Sequence, residues 1–172
     1  MDKLYYKLLK SPYFVCYILS LLYLYYQRVF IWESSISPFD QWIITSHVVT
    51  ILVNNTFLLY QMKKVGSIGT IKNNIIIRIG KDNLYKQLYK LSIKDLCIYF
   101  IGTYVVLTLI YIHTLTIIPI YIFFIMLNLC LFFFYQVLFN YMIVEGKKTY
   151  YSILPFVLNI LFHYLIVPLL FF

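Results

Sequence analysis

Two groups of residues in this chain could do chemistry. The first is a basic and aromatic interval. Eight of the fourteen Lys and Arg residues lie between Gln61 and Asp95: Lys63, Lys64, Lys72, Arg78, Lys81, Lys86, Lys90 and Lys94. Such an interval offers a docking surface for a cytosolic partner and attracts anionic lipid headgroups. The second group is a scatter of polar side chains inside apolar runs: His47, Asn54, Asn55, Thr56, His113, Asn128, Gln136, Asn140, Asn159 and His163. Amides in such places link helices by hydrogen bonds worth about 1 kcal/mol or less each. Alternatively they line a polar path. Asn54, Asn55 and Thr56 are consecutive and are the path candidates, with Arg28 at the end of the first apolar run. Snorkelling to the surface, with stacking on Trp32, is the simpler use of Arg28.

Other chemistry has no residues to carry it. There is no P-loop, HExxH, GxSxG or paired carboxylate, so no catalytic residue is expected and any ATP hydrolysis falls to a partner. The three cysteines form no CxxC and no cluster with histidine, so neither metal nor cofactor is expected. Cys16, Cys97 and Cys130 fall in apolar runs, where buried, reduced thiols are expected. His47 and His113 read as interface residues. The formal charge of +8 comes without a nucleic-acid motif, and nucleic acid is not an expected partner. No acidic residue lies between Gln41 and Lys81, and the last three runs hold none within their cores. Ion-driven carriers commonly use intramembrane carboxylates, so the pattern favours an outside energy source.

The elements that must position these residues are helices in a bilayer. Hydrophobic residues make up 63% of the 172 and charged residues 12%. A soluble domain is roughly half apolar and a quarter charged. The excess must face lipid, which makes the chain an all-α integral membrane protein in one transmembrane domain, 1–172. Crossing the bilayer takes about 20 apolar residues. Five runs qualify: 13–31, 42–60, 96–115, 120–144 and 151–172. Pro155 and Pro168 interrupt the last, so a re-entrant hairpin, giving six segments, is the alternative. Lys3, Lys7 and Lys10, the eight basic residues of 61–95, and Lys147 and Lys148 share one side; Arg28 alone falls on the other. That side is cytoplasmic, with the N-terminus on it. The first run is too long for a cleavable signal. Nineteen Tyr, fifteen Phe and no Ala suit an AT-rich genome. A bacterial cytoplasmic membrane is expected, with the mitochondrial inner membrane as the alternative.

Within the interval, Gly66, Ser67, Gly69 and paired asparagines predict a flexible turn over 61–74. Gly80 ends the run Ile75-Ile76-Ile77-Arg78-Ile79. From Lys81 to Asp95, Leu84, Leu88 and Leu91 recur at helical spacing with Tyr85 and Tyr89 beside them. Lys81, Lys86, Lys90 and Lys94 take other faces, which predicts an amphipathic cytoplasmic helix lying along the inner interface between the second and third spans.

The run Asn74 to Lys81, the Tyr/Lys helix and the span after it resemble small permease subunits of type-2 ABC exporters. The resemblance covers roughly 1–115. It implies that Met1 to Lys10 is the short amphipathic segment before the first span. It implies that Lys81 to Asp95 is a coupling helix seated in a groove of a separate ATPase. Arg78, Gly80, Lys81, Leu84, Tyr85, Lys86, Leu88, Tyr89 and Lys90 would form the docking surface, and a second permease copy or a related subunit would complete the path. Members usually have six spans, and this chain has five. Amphipathic peptides or lipids are the substrates the resemblance implies. A small structural subunit of a larger membrane complex, including an organelle-encoded respiratory complex, and a bacteriocin-immunity membrane protein are the other readings.

Overall fold

The computed structural model of the chain describes residues 11–30, 47–110, 118–145 and 150–171. The amphipathic segment expected at Met1 to Lys10, the loop from Trp32 to Gln41, His113, Lys147 and Lys148 lie outside the described residues, as do the side chains of Arg28 and His47.

The described residues are helical almost throughout, with no strand among them. Helix α1 is Pro12–Phe30 and α2 is His47–Gly69. Helix α3 is Lys72–Ile79. Helix α4 runs as Lys81–Phe100, passes through a π-helical turn at Ile101–Val105, and ends as Val106–Ile110. Helix α5 is Ile118–Glu145. Helix α6 runs as Tyr150–Leu161, a second π-helical turn at Phe162–Ile166, and Val167–Phe171.

Local chemistry accounts for the boundaries. Ser11 caps α1, its Oγ accepting from the Phe14 N–H at 3.4 Å, and Pro12 follows, where its missing N–H costs nothing. Between α3 and α4, Gly80 has φ +82°, the single positive φ among the described residues, and only glycine takes that backbone without strain. The first π turn leaves the Gly102 carbonyl to accept a hydrogen bond from the Tyr25 hydroxyl, which ties α1 to α4.

Three expectations change. The stretch 61–74 is no flexible turn: α2 continues to Gly69, and the chain bends only at Thr70 and Ile71. Glycine costs a helix interior up to about 1 kcal/mol, and burial of Val65 and Ile68 outweighs it here. The helix over 81–95 is not a separate element lying along an interface. It is the first half of α4, continuous with the third apolar run. Its apolar stripe faces protein, because Leu84 and Leu88 pack on Ile68 of α2 and on Ile75 and Ile76 of α3. Finally, 150–171 is one helix, not a hairpin. Pro155 lies inside it, and the π turn just before Pro168 widens the backbone where the ring would crowd the preceding carbonyl.

Among the described residues, two helices are long and apolar enough to cross a membrane, over Pro119–Met142 and Ser152–Leu169. Only 33% and 28% of their most apolar stretches are buried. Core helices of a soluble protein would be mostly covered. Here Phe123, Phe133, Phe134, Ile153, Leu165 and Leu169 face outward instead. The cysteines share that exterior: Cys16, Cys97 and Cys130 are exposed, not buried as expected. The interior is aromatic. The Phe57 and Tyr99 rings stack at 4.2 Å, and Tyr99 stacks on Phe132 at 5.0 Å, joining α2, α4 and α5.

Candidate functional site

One face of α2 organises the molecule. Val53, Asn54, Phe57, Leu58, Gln61, Lys64, Val65 and Ile68 are all buried, at the three- and four-residue spacing of a helix. Three of the eight are polar, and they build two centres.

The outer centre is neutral. Asn54 is 1% exposed and uses its whole amide. Its Oδ1 accepts from the Tyr99 hydroxyl. Its Nδ2 donates to Asn159 Oδ1 at 3.2 Å and lies 3.0 Å from His163 Nε2. Asn159 Nδ2 then donates to Asn55 Oδ1 at 3.0 Å. Phe124 and Phe162 meet the His163 ring edge to face. Helices α2, α4 and α6 are thus joined by one chain of hydrogen bonds. Beside it Thr56 Oγ1 and Ser20 Oγ, 2.7 Å apart, join α2 to α1.

The inner centre is charged. Lys64 pairs with Asp95 of α4, with their side chains 3% and 5% exposed. Gln61 Nε2 donates to the same carboxylate oxygen at 2.8 Å. The Lys64 ammonium also lies 5.9 Å from the centre of the Tyr60 ring. Burial pulls the Lys64 pKa below its usual range, against the opposing pull of Asp95. One turn further along, Ser92 of α4 and Asn140 of α5 bond each other, with Asn140 Nδ2 3.1 Å from Ser92 Oγ. A cavity of about 80 Å³ lies between the centres, walled by Asp95, Tyr99, Tyr17 and Phe57.

This inner centre corrects two readings. Lys64 is a buried partner, not a solvated topological charge. Asp95 places a carboxylate inside the bundle, where none was expected. Sequence signals existed for both: Gln61 and Lys64 continue the buried spacing of α2, and Asp95 continues the stripe Leu84, Leu88, Ser92.

The expected docking residues divide. Arg78, Gly80, Lys81, Lys86 and Lys90 are exposed. Leu84 and Leu88 are buried under α3 and hold the helix in place instead of meeting a partner. Tyr85 and Tyr89 are half-buried, with rings parallel at 6.3 Å. With Asp82, Lys86, Lys90 and Ile93 they line an open groove of about 630 Å³ along α4. The end of α5 closes on this region: Lys81 Nζ lies 2.8 Å from Glu145 Oε1, and the Tyr85 hydroxyl donates to the same oxygen at 3.0 Å. Partial burial, reinforced by the Glu145 contact, pushes the Tyr85 pKa up to about 12.

The expected path residues divide too. Asn54 is committed inside the bundle. Asn55 and Thr56 instead line an open apolar groove of about 420 Å³ between α2 and α6, with Ile51, Leu52, Leu59, Phe156 and Tyr164. Among the described residues no three His, Cys, Asp or Glu side chains gather as a metal site.

No protein-family model, curated protein or solved structure matches the chain.

Proposed function

We propose that the chain is a permease-type subunit of an ATP-driven exporter, with five spans in a bacterial cytoplasmic membrane and its N-terminus on the cytoplasmic side. The lopsided distribution of Lys and Arg supports that orientation. The observation that carries the functional reading is the continuity of α4. Its first half presents Lys81, Lys86, Lys90 and the Tyr85–Tyr89 groove, and its second half carries Asp95 and Tyr99 into both buried centres. A separate ATPase seated on the first half would move the second half with it, because no break in the helix separates them. Two copies, or one copy with a related subunit, would form the path. Amphipathic peptides or lipids suit a bundle with so much exposed apolar surface.

Gentle detergent pull-down of the tagged protein from its native membrane tests this reading. Recovery of an ATPase is expected. It should be lost in the variant Arg78→Ala/Lys86→Ala/Lys90→Ala, which still inserts in the membrane. Equal recovery of the ATPase from that variant would sink the coupling role. Recovery of respiratory subunits would support a structural role instead. A label on the C-terminus found in the cytoplasm would overturn five spans.

A further inference from the structure

The small cavity at the inner centre, about 80 Å³, is walled mainly by rings. Five of its seven wall residues are aromatic: Phe14 and Tyr17 of α1, Phe57 and Tyr60 of α2, and Tyr99 of α4. The others are Ile98 and Asp95, its one charged group. The Asp95 carboxylate is used unevenly. Lys64 and Gln61 both bond its Oδ2, and among the described residues Oδ1 takes no hydrogen bond. A buried carboxylate oxygen calls for a donor, so the cavity suits a group that donates. The rings favour a cationic donor. Phe14 is tilted 53° to Tyr17 and 55° to Tyr60, so these rings do not cover one another's faces, and ring faces attract ammonium ions. Two ammonium groups of the chain already lie this way: Lys64 is 5.9 Å from the centre of the Tyr60 ring, and Lys63 is 5.1 Å from that of Tyr13.

Volume and surroundings narrow the ligand. A cavity of about 150 Å³ admits benzene, so one of about 80 Å³ admits roughly three or four heavy atoms. An ethylammonium group fits. A trimethylammonium group is bulkier and has no N–H to give. The mouth lies on the exterior between α1 and α4, where Phe14 is half-buried and Ile98 is 53% exposed. Lys94 precedes Ile98 by one turn on the exposed side of α4, and Lys63 lies over the ring of Tyr13, next to Phe14. Two cations at the mouth repel a bare amine and suit an ammonium with a phosphate behind it. Beyond the mouth the exterior is apolar, with Ile98, Ile101 and Val105 on α4 and Val15 and Leu19 on α1. Acyl chains attached to that phosphate have a surface to lie on.

We infer that this cavity holds the headgroup of an ethanolamine phospholipid: its ammonium donates to Asp95 Oδ1 among the rings, its phosphate sits by Lys63 and Lys94, and its acyl chains run along α1 and α4. This inference rests on the membrane placement proposed above. Lys64 keeps Oδ2, so the charged pair persists with the lipid in place, and the phosphate balances the added ammonium.

Native mass spectrometry of the full chain tests it, in detergent holding equal amounts of ethanolamine and choline phospholipids with the same acyl chains. One ethanolamine lipid per chain should be retained about tenfold in preference to the choline lipid, the worth of a hydrogen bond to a charged group. Lys63→Ala/Lys94→Ala should weaken retention of both lipids and leave the preference. Lys64→Met/Asp95→Leu removes the acceptor together with its counter-charge and should abolish the preference. Ile98→Trp, at an exposed position outside the inner centre, should close the mouth and abolish it too. Soluble phosphoethanolamine should not displace the lipid, because it has no acyl chains to lie on α1 and α4. The inference is overturned if the two lipids are retained alike, or if the preference survives in Lys64→Met/Asp95→Leu or in Ile98→Trp. It is equally overturned if loss of Lys63 and Lys94 leaves retention unchanged, or if phosphoethanolamine displaces the lipid. Failure of the membrane placement would appear separately, as release of the protein by alkaline extraction of its native membrane.

Discussion

Asn54 and Gln61 stand seven residues apart on one face of α2, about 10 Å along its axis. Each anchors a buried polar centre that reaches α4, yet the two hold their helices by different physics. The centre at Asn54 spends neutral hydrogen bonds, each of modest worth and tolerant of rearrangement. The centre at Gln61 holds two opposite charges out of water, Lys64 and Asp95, where the cost of desolvation nearly matches their attraction. The comparison teaches that a polar residue's consequence is set by what its loss would leave behind. Removing one member of the neutral centre strands a hydroxyl or an amide. Removing one member of the charged centre strands an ion.

The largest expected effect follows from that difference. Asp95→Asn leaves the Lys64 ammonium buried without its counter-charge and should cost about 3–5 kcal/mol in unfolding experiments in detergent. The double variant Lys64→Met/Asp95→Leu removes both charges and should recover most of the loss. If the single and double variants were equally damaged, the pair would not be the source of the penalty. Next comes Asn54→Leu, which deprives Tyr99, Asn159 and His163 of one shared partner. A loss of about 2 kcal/mol is expected. A loss as large as that of Asp95→Asn would erase the distinction between the centres.

The sequence made the helices legible and the centres illegible, for separable reasons. Apolar runs mark α1, α5 and α6 because the outward-facing and core-facing sides of such helices are both apolar, so length alone finds them. The buried face of α2 mixes Asn54, Gln61 and Lys64 with Phe57 and Leu58, and a search for apolar periodicity breaks on it. Lys64 looks like the other lysines in the sequence because a charge gives no local sign of its partner, and Asp95 is 31 residues away. Asn54 and His163 are 109 residues apart, and no spacing rule reaches that far. The stripe Leu84 and Leu88 shows in the sequence as one helix face. Its partner does not show, because Ile68 lies in a stretch whose glycines suggest a turn and Ile75 opens a separate apolar run.

A third variant asks whether buried amides in this bundle always contribute. Gln136 of α5 is 2% exposed, and among the described residues neither end of its amide meets a partner. It therefore carries a desolvation cost with no bond to offset it. Gln136→Leu should raise stability by about 1 kcal/mol, in contrast to the loss expected for Asn54→Leu. A loss in both would mean that Gln136 contributes by a route other than hydrogen bonding.

The smallest expected effect sharpens the comparison most, because α4 carries a second ion pair of the same composition class. Lys81 and Glu145 lie 2.8 Å apart, with their side chains 50% and 32% exposed. Water already solvates both ions, so pairing adds little, and Lys81→Ala should cost at most about 0.5 kcal/mol. Salt separates the two pairs further. At about 1 M the Debye length shrinks to about 3 Å, which screens an exposed pair and leaves a buried one nearly untouched. The cost of Lys81→Ala should then vanish, and that of Asp95→Asn should stay. Glu145 also accepts from Tyr85, so the Lys81 variant leaves the end of α5 tied to α4 and reads the charge alone. Were Lys81→Ala as damaging as Asp95→Asn and insensitive to salt, burial would not be what separates these pairs, and the inner centre would lose its claim to be the point where α2 and α4 are locked.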